Sequence, residues 1–137
     1  MDPITEPFDI GRHPIHLGLG ATSVPQPEHT GEMDWYMDYG ARHGDDGHEG
    51  RLLSMHTFTT SWDTWEMHPN GSEVVFAVAG TVTFIQEIGG EHRRVVLTAG
   101  QAIINPPGVW HTAEMAEGET AKVVFVTAGV GTEIRPV

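Results

Sequence analysis

The chain of 137 residues has no cysteine, only seven lysines and arginines, and no apolar run long enough to span a bilayer. Without thiols, disulfides and thiolate chemistry are excluded, so any metal has to be held by nitrogen and oxygen. Against 19 acidic residues the few cations leave a formal net charge of -12. That excludes nucleic acid as an expected partner, because phosphate binding uses clustered lysine and arginine, and it disfavours anionic membrane surfaces too. The opening "MDPITEPFDIGRHP" has neither the basic start nor the apolar core of a secretory signal, so a cytoplasmic location is expected. Gly-x-Ser-x-Gly, a phosphate-cradling glycine loop and His-Glu-x-x-His are all missing. Small molecules and protein partners remain.

With 39% hydrophobic residues the chain reads as globular, and its length suits one domain with a real core. Its composition shifts near residue 50. Five prolines fall within the first 27 residues, and "GLGATSVPQPEHTG" keeps no period, which reads as an irregular or extended arm. Met33, Tyr36, Met37 and Gly40 fall at helical spacing. One short helix is therefore expected after Thr30 as N-cap, its Met and aromatic side chains serving as packing groups. "RHGDDGHEG" gathers His43, Asp45, Asp46, His48 and Glu49, but its spacing fits no calcium loop and its glycines suit a solvated turn.

From residue 51 onward the chain is a succession of short strands punctuated by Asn-Gly, the single Gly80, Gly-Gly and Pro-Pro-Gly. Gly89-Gly90 marks a hairpin. Strands so closely spaced, with no helical crossovers, predict an all-β antiparallel sandwich or barrel. The expected division is an arm with one helix over residues 1–50, packing on a β-barrel over residues 51–137.

The chemistry-bearing residues concentrate in "WEMHPNGSEVV" and "GQAIINPPGVWH". On a strand, residues i and i+2 share a face, so Glu66 and His68 project together. The Pro69–Ser72 turn reverses the chain, and Glu73 starts the next strand beside them. His111 follows the Pro-Pro-Gly turn at another strand start. If Glu73 points inward, Val75, Ala77 and Ala79 should follow, and Ala113 and Met115 should accompany His111. Small side chains there would leave room for a ligand. His56 falls at a register compatible with an inward side chain, as a general base, a donor to a ligand or a plain wall residue. Trp62, Trp65 and Trp110 read as packing or rim residues, and Arg93 and Arg94 as a solvated hairpin.

These two segments resemble the paired motifs of the cupin superfamily. The first motif appears as Glu66-x-His68, four residues, Glu73, six residues, Gly80. The second runs from Gly100 through Pro106 and Gly108 to His111. The resemblance covers residues 55–128 and departs from the family at three positions: Thr60 for the first glycine, Met115 for the terminal asparagine, and Glu66 for the first histidine. It implies a jelly-roll barrel with His68, Glu73 and His111 on metal-ligand positions and Glu66 at the fourth. Two carboxylates would make such a site near neutral with a divalent ion, and they shift its preference toward Mn²⁺ or Fe²⁺. Zn²⁺ or Ni²⁺ could still occupy it.

A small-molecule enzyme of dioxygenase, isomerase or lyase type is the leading expectation, with Glu66 and His56 as its catalytic candidates. The alternative is a sugar- or small-acid-binding module without turnover, with or without metal. Because Val74, Phe76 and Val78 make the strand apolar on its other face too, that face calls for a cover by the N-terminal arm or a second subunit, and a homodimer is expected.

Overall fold

The computed structural model describes residues 6–137. Two three-residue strands, β1 (Ile15–Leu17) and β2 (Ser23–Pro25), lead to helix α1 (Met33–His43). Eight further strands follow: β3 (Arg51–Phe58), β4 (Thr64–Met67), β5 (Glu73–Ile88), β6 (Glu91–Thr98), β7 (Ala102–Asn105), β8 (Trp110–Glu114), β9 (Ala121–Thr127) and β10 (Glu133–Pro136). All pairings are antiparallel.

The sixteen-residue β5 organises the molecule. Its first half lies between β9 and β7, in a sheet of order β2-β1-β3-β9-β5-β7. Its second half lies between β8 and β6, in a sheet of order β10-β4-β8-β5-β6. The strands do not close into a continuous ring; they form two sheets joined through β5, an antiparallel sandwich of the jelly-roll kind that the cupin resemblance implies.

Gly80 stands at the crossing. The register slips between Ala77 and Ala79, and Gly80 has φ +76°. A Cβ there would lie 1.8 Å from the Thr120 carbonyl oxygen, so only glycine lets β5 pass this close to the chain entering β9. The slip also turns Ala79 outward: Val75 and Ala77 are buried, but Ala79 is exposed, against the expected alternation.

Between the sheets, Val75, Ala77, Phe84, Ala113, Val123 and Phe125 share one core. The small side chains of β5 and β8 face large ones, with Phe84 and Phe125 packing edge-to-face at 6.3 Å, and Met115 packs at the margin. Truncating Phe84, which is fully buried, would cost roughly 3–5 kcal/mol.

The arm is extended, as proline implies, and β1 and β2 also extend the first sheet beyond β3. Buried polar contacts fasten it. His16 accepts from the Tyr39 hydroxyl at Nδ1 (2.6 Å) and donates from Nε2 to Asp46 (2.6 Å), while the His43 ring stacks on it at 4.0 Å. Burial and the Asp46 charge push Tyr39 up to about 12, which keeps its hydroxyl a donor. Trp35 is buried and donates to the Pro27 carbonyl.

The helix differs from expectation in detail. Its N-cap is Glu32, Thr30 Oγ1 accepts from the Glu32 N–H before the helix begins, and Met33 and Met37 are exposed. Trp35 and Tyr39 carry the packing instead. At the other end, β10 lies on β4, with the Arg135 guanidinium 4.4 Å from the Trp110 ring and ion-paired to Glu87. Among the described residues no helix is long and apolar enough to cross a membrane.

Candidate metal centre

Glu66 lies on β4 directly opposite His111 on β8, and His68 follows one residue after β4 ends. Glu73 opens β5. The Pro106–Gly108 turn joins the two segments physically, because the Gly108 N–H donates to the His68 carbonyl at 3.0 Å. Gly108 takes φ +78°, the left-handed conformation this turn requires.

The side chains converge. Ligand atoms of Glu66, His68 and His111 lie within 4.8 Å of one another. Glu73 approaches both imidazoles, with its Oε2 3.2 Å from His68 Nε2 and its Oε1 3.2 Å from His111 Nε2. His68, Glu73 and His111 are buried, and Glu66 is half-buried. The imidazole centroids are 5.2 Å apart.

The tautomers follow from the partners at Nδ1. His68 Nδ1 meets Thr132 Oγ1 at 2.8 Å, and that hydroxyl donates its own proton to the Gly129 carbonyl. It therefore accepts from His68 Nδ1–H. His111 Nδ1 meets the Val109 carbonyl at 3.2 Å, which can only accept. In the neutral form, which a metal ligand must adopt, each ring then carries its proton on Nδ1 and turns a bare Nε2 inward. Neither Nε2 is aligned in a hydrogen bond, although both are buried. Two such lone pairs beside two carboxylates form a donor set that fits a divalent cation.

Glu73 is held in place by further partners. Asn105 Nδ2 donates to its Oε1 (3.0 Å), Thr127 Oγ1 to its Oε2 (2.6 Å), and Gln86 Nε2 orients Asn105 through Oδ1 (2.8 Å). Each carboxylate oxygen keeps a lone pair free for the centre.

The electrostatics reflect crowding. Burial pushes Glu73 up, but the neighbouring His111 and His68 more than offset it and hold the carboxyl well below its usual range. Burial also works against a charged His111, yet the Glu73 carboxylate prevails and raises it. For Glu66, burial comes first and the Glu73 charge adds to it, against His111 and His68, and the carboxyl is raised.

His56 faces the interior from β3 but stands apart from this cluster. It packs against Phe125 (5.8 Å), Phe58 (6.2 Å) and His29 of the arm (5.2 Å). Burial, helped by His29, lowers it to about 4, so it is neutral at ordinary pH.

A second group capable of holding a metal lies outside the jelly-roll interior, formed by His16, His43 and Asp46. Spacing in "RHGDDGHEG" could not reveal it, because His16 arrives from β1. Both nitrogens of His16 are already hydrogen-bonded there. Arg94 pairs with Glu114 on the surface, as suits a solvated hairpin.

A family model described as a cupin domain matches residues 59–127, half of the chain. No curated protein matches significantly. Among solved structures, an oxalate oxidase in complex with the substrate analogue glycolate is similar at 18% identity and a TM-score of 0.53, covering 64% of this chain and 46% of that one. Peruvianin-I, a cysteine peptidase from Thevetia peruviana latex, is similar at 17% identity and a TM-score of 0.54, covering 64% and 56%. The chain thus spans about half the length of the solved structures it matches. At such identities the likeness shows a shared fold, and a chain without cysteine cannot carry cysteine-peptidase chemistry.

Proposed function

The chain belongs to the cupin family, and from that premise we propose that it is a small-molecule enzyme holding one divalent first-row metal between Glu66, His68, Glu73 and His111. The observation that supports this best is the pair of buried Nε2 atoms of His68 and His111, unaligned with any hydrogen-bond partner and forced by their Nδ1 contacts to present lone pairs. Two imidazoles and two carboxylates favour Mn²⁺ or Fe²⁺ on ligand hardness and admit Zn²⁺ or Ni²⁺ on affinity.

Bound there, the metal would supply Lewis-acid polarisation of a substrate carbonyl, enediol or hydroxyl oxygen. The chain's own groups set the rest. Thr132 and the Val109 carbonyl fix the rings, while Asn105 and Thr127 fix Glu73. Glu66, whose carboxyl burial raises, would move its proton away as it binds the ion through its carboxylate. His56, kept neutral, offers a hydrogen-bonding nitrogen to a ligand and makes a poor proton acceptor at neutral pH.

Elemental analysis of protein purified without a histidine tag tests this reading, paired with Glu66→Gln. The expected result is one metal per chain in the native protein and a reduced content in the variant. No metal under any loading condition would refute the metal site and leave a ligand-binding role without turnover.

We also propose a homodimer. The outer face of β5 and β7 presents Val78 and Ile104, both about half exposed, beside the half-buried Val74 and Phe76. Sedimentation velocity at micromolar concentration should show twice the 15.0 kDa chain mass; a clean monomer would contradict this.

A further inference from the structure

One interior donor is left over by the arrangement described so far. Trp62 enters just before β4, where its backbone N–H donates to the Ala113 carbonyl at 2.9 Å. Its ring is fixed among Phe58 (5.6 Å), Phe125 (5.9 Å) and Phe84 (6.0 Å), with the His111 ring at 6.2 Å. Nε1 of this indole is buried and meets no acceptor among the described residues. An indole N–H can only donate, and a buried donor without an acceptor destabilises the fold that keeps it.

The surrounding wall is aromatic and gives the donor no acceptor among the described residues. Phe125 bridges Trp62 to His56, and His29 of the arm packs on His56 while its Nε2 lies 2.9 Å from the Tyr36 hydroxyl. Residues 29–36 therefore cover the wall at its His56 end, and they lie outside the span matched by the family. The result is an aromatic, donor-bearing surface running up to the ligand His111.

We infer that Trp62 Nε1–H is a ligand-binding donor and that its ligand is a small carboxylate bound beside the metal ligands. The inference rests on the metal reading above. An anionic oxygen accepts a stronger hydrogen bond than a neutral one in aromatic surroundings. The neighbouring divalent ion would offset the cost of taking that charge out of water.

The test uses the full chain, ¹⁵N-labelled and loaded with diamagnetic Zn²⁺, titrated with acetate and separately with its uncharged isostere acetamide. Four tryptophans give four indole N–H signals, and loss of one in Trp62→Phe assigns it. The expected result is a saturable downfield movement of the Trp62 signal with acetate and not with acetamide. In Trp62→Phe, which keeps a packed ring, backbone signals at Ala113 should report an acetate Kd raised at least fivefold, with the Zn²⁺ Kd unchanged within twofold.

A Trp62 signal unmoved by acetate, a signal moved equally by acetamide, or an unchanged acetate Kd in the variant would each overturn the inference. Failure of the metal reading would be seen separately, as His68 and His111 imidazole signals indifferent to Zn²⁺. The same acetate and acetamide titrations of the metal-free protein would then decide the inference by the same signals.

Discussion

Replacing His56 by glutamine should flatten the acid limb of the chain's stability. In the fold the imidazole is enclosed by Phe58, Phe125 and His29, and its pKa falls to about 4 from the usual 6.5. An unfolded chain binds the proton near 6.5, whereas the folded chain refuses it until about 4. Between those values the unfolded state carries more protons, so stability rises with pH and is lost as pH falls through that window. The difference corresponds to roughly 3 kcal/mol at full development. His29 is also lowered by burial and contributes in the same direction, but it remains in the variant and cancels in the comparison. Urea unfolding of metal-free protein in EDTA, at pH 7, 6, 5 and 4.5, gives the two curves. Over that range native stability should fall by about 2 kcal/mol more than that of His56→Gln, nearly all of it below pH 6.5. Parallel curves, or a His56 ring signal titrating near 6.5, would refute the buried neutral histidine.

Gly80→Ala adds a left-handed backbone cost to a 1.8 Å clash with the Thr120 carbonyl, so a loss of at least about 3 kcal/mol, or failure to fold, is expected by thermal or urea unfolding. Asn105→Leu removes the donor that fixes Glu73 Oε1 and leaves Gln86 Nε2 with the Ile104 carbonyl alone; the metal Kd should weaken roughly 10- to 100-fold in a calorimetric titration, and an unchanged Kd would remove Glu73 from the centre. Metal loading should release protons, because Glu73 raises His111 and burial raises Glu66, and the ion displaces what they hold. Affinity should then fall as pH falls, and calorimetry in two buffers of different ionisation enthalpy should give different apparent heats; identical heats would contradict proton displacement.

The β-strands, the Gly89-Gly90 hairpin and the shared face of Glu66 and His68 were legible because each is written locally, in period-two patterning and turn chemistry, while the approach of Glu73 and His111 to them was implied by the paired cupin motifs. What escaped depends on which strand meets which. Gly80 read as punctuation between two strands, yet it lies inside one strand serving two sheets. Ala79 read as inward, and the slip beside it turned it out. Asn105, Thr127 and Thr132 gave no signal as supports for the ligands, since each reaches its partner from 32 or more residues away. A buried asparagine ending the apolar run "QAIIN" was the one available hint. The helix pattern found α1 but assigned Met33 and Met37 to packing, because a periodic stripe does not say how much of it the fold will cover.

The most direct measurement is an anomalous difference map recorded at the metal edge from crystals of the zinc-loaded chain. A single strong peak is expected between His68 Nε2 and His111 Nε2, with carboxylate oxygens of Glu66 and Glu73 completing its shell. A map without a peak there, or with its peak at His16, His43 and Asp46 instead, would contradict it.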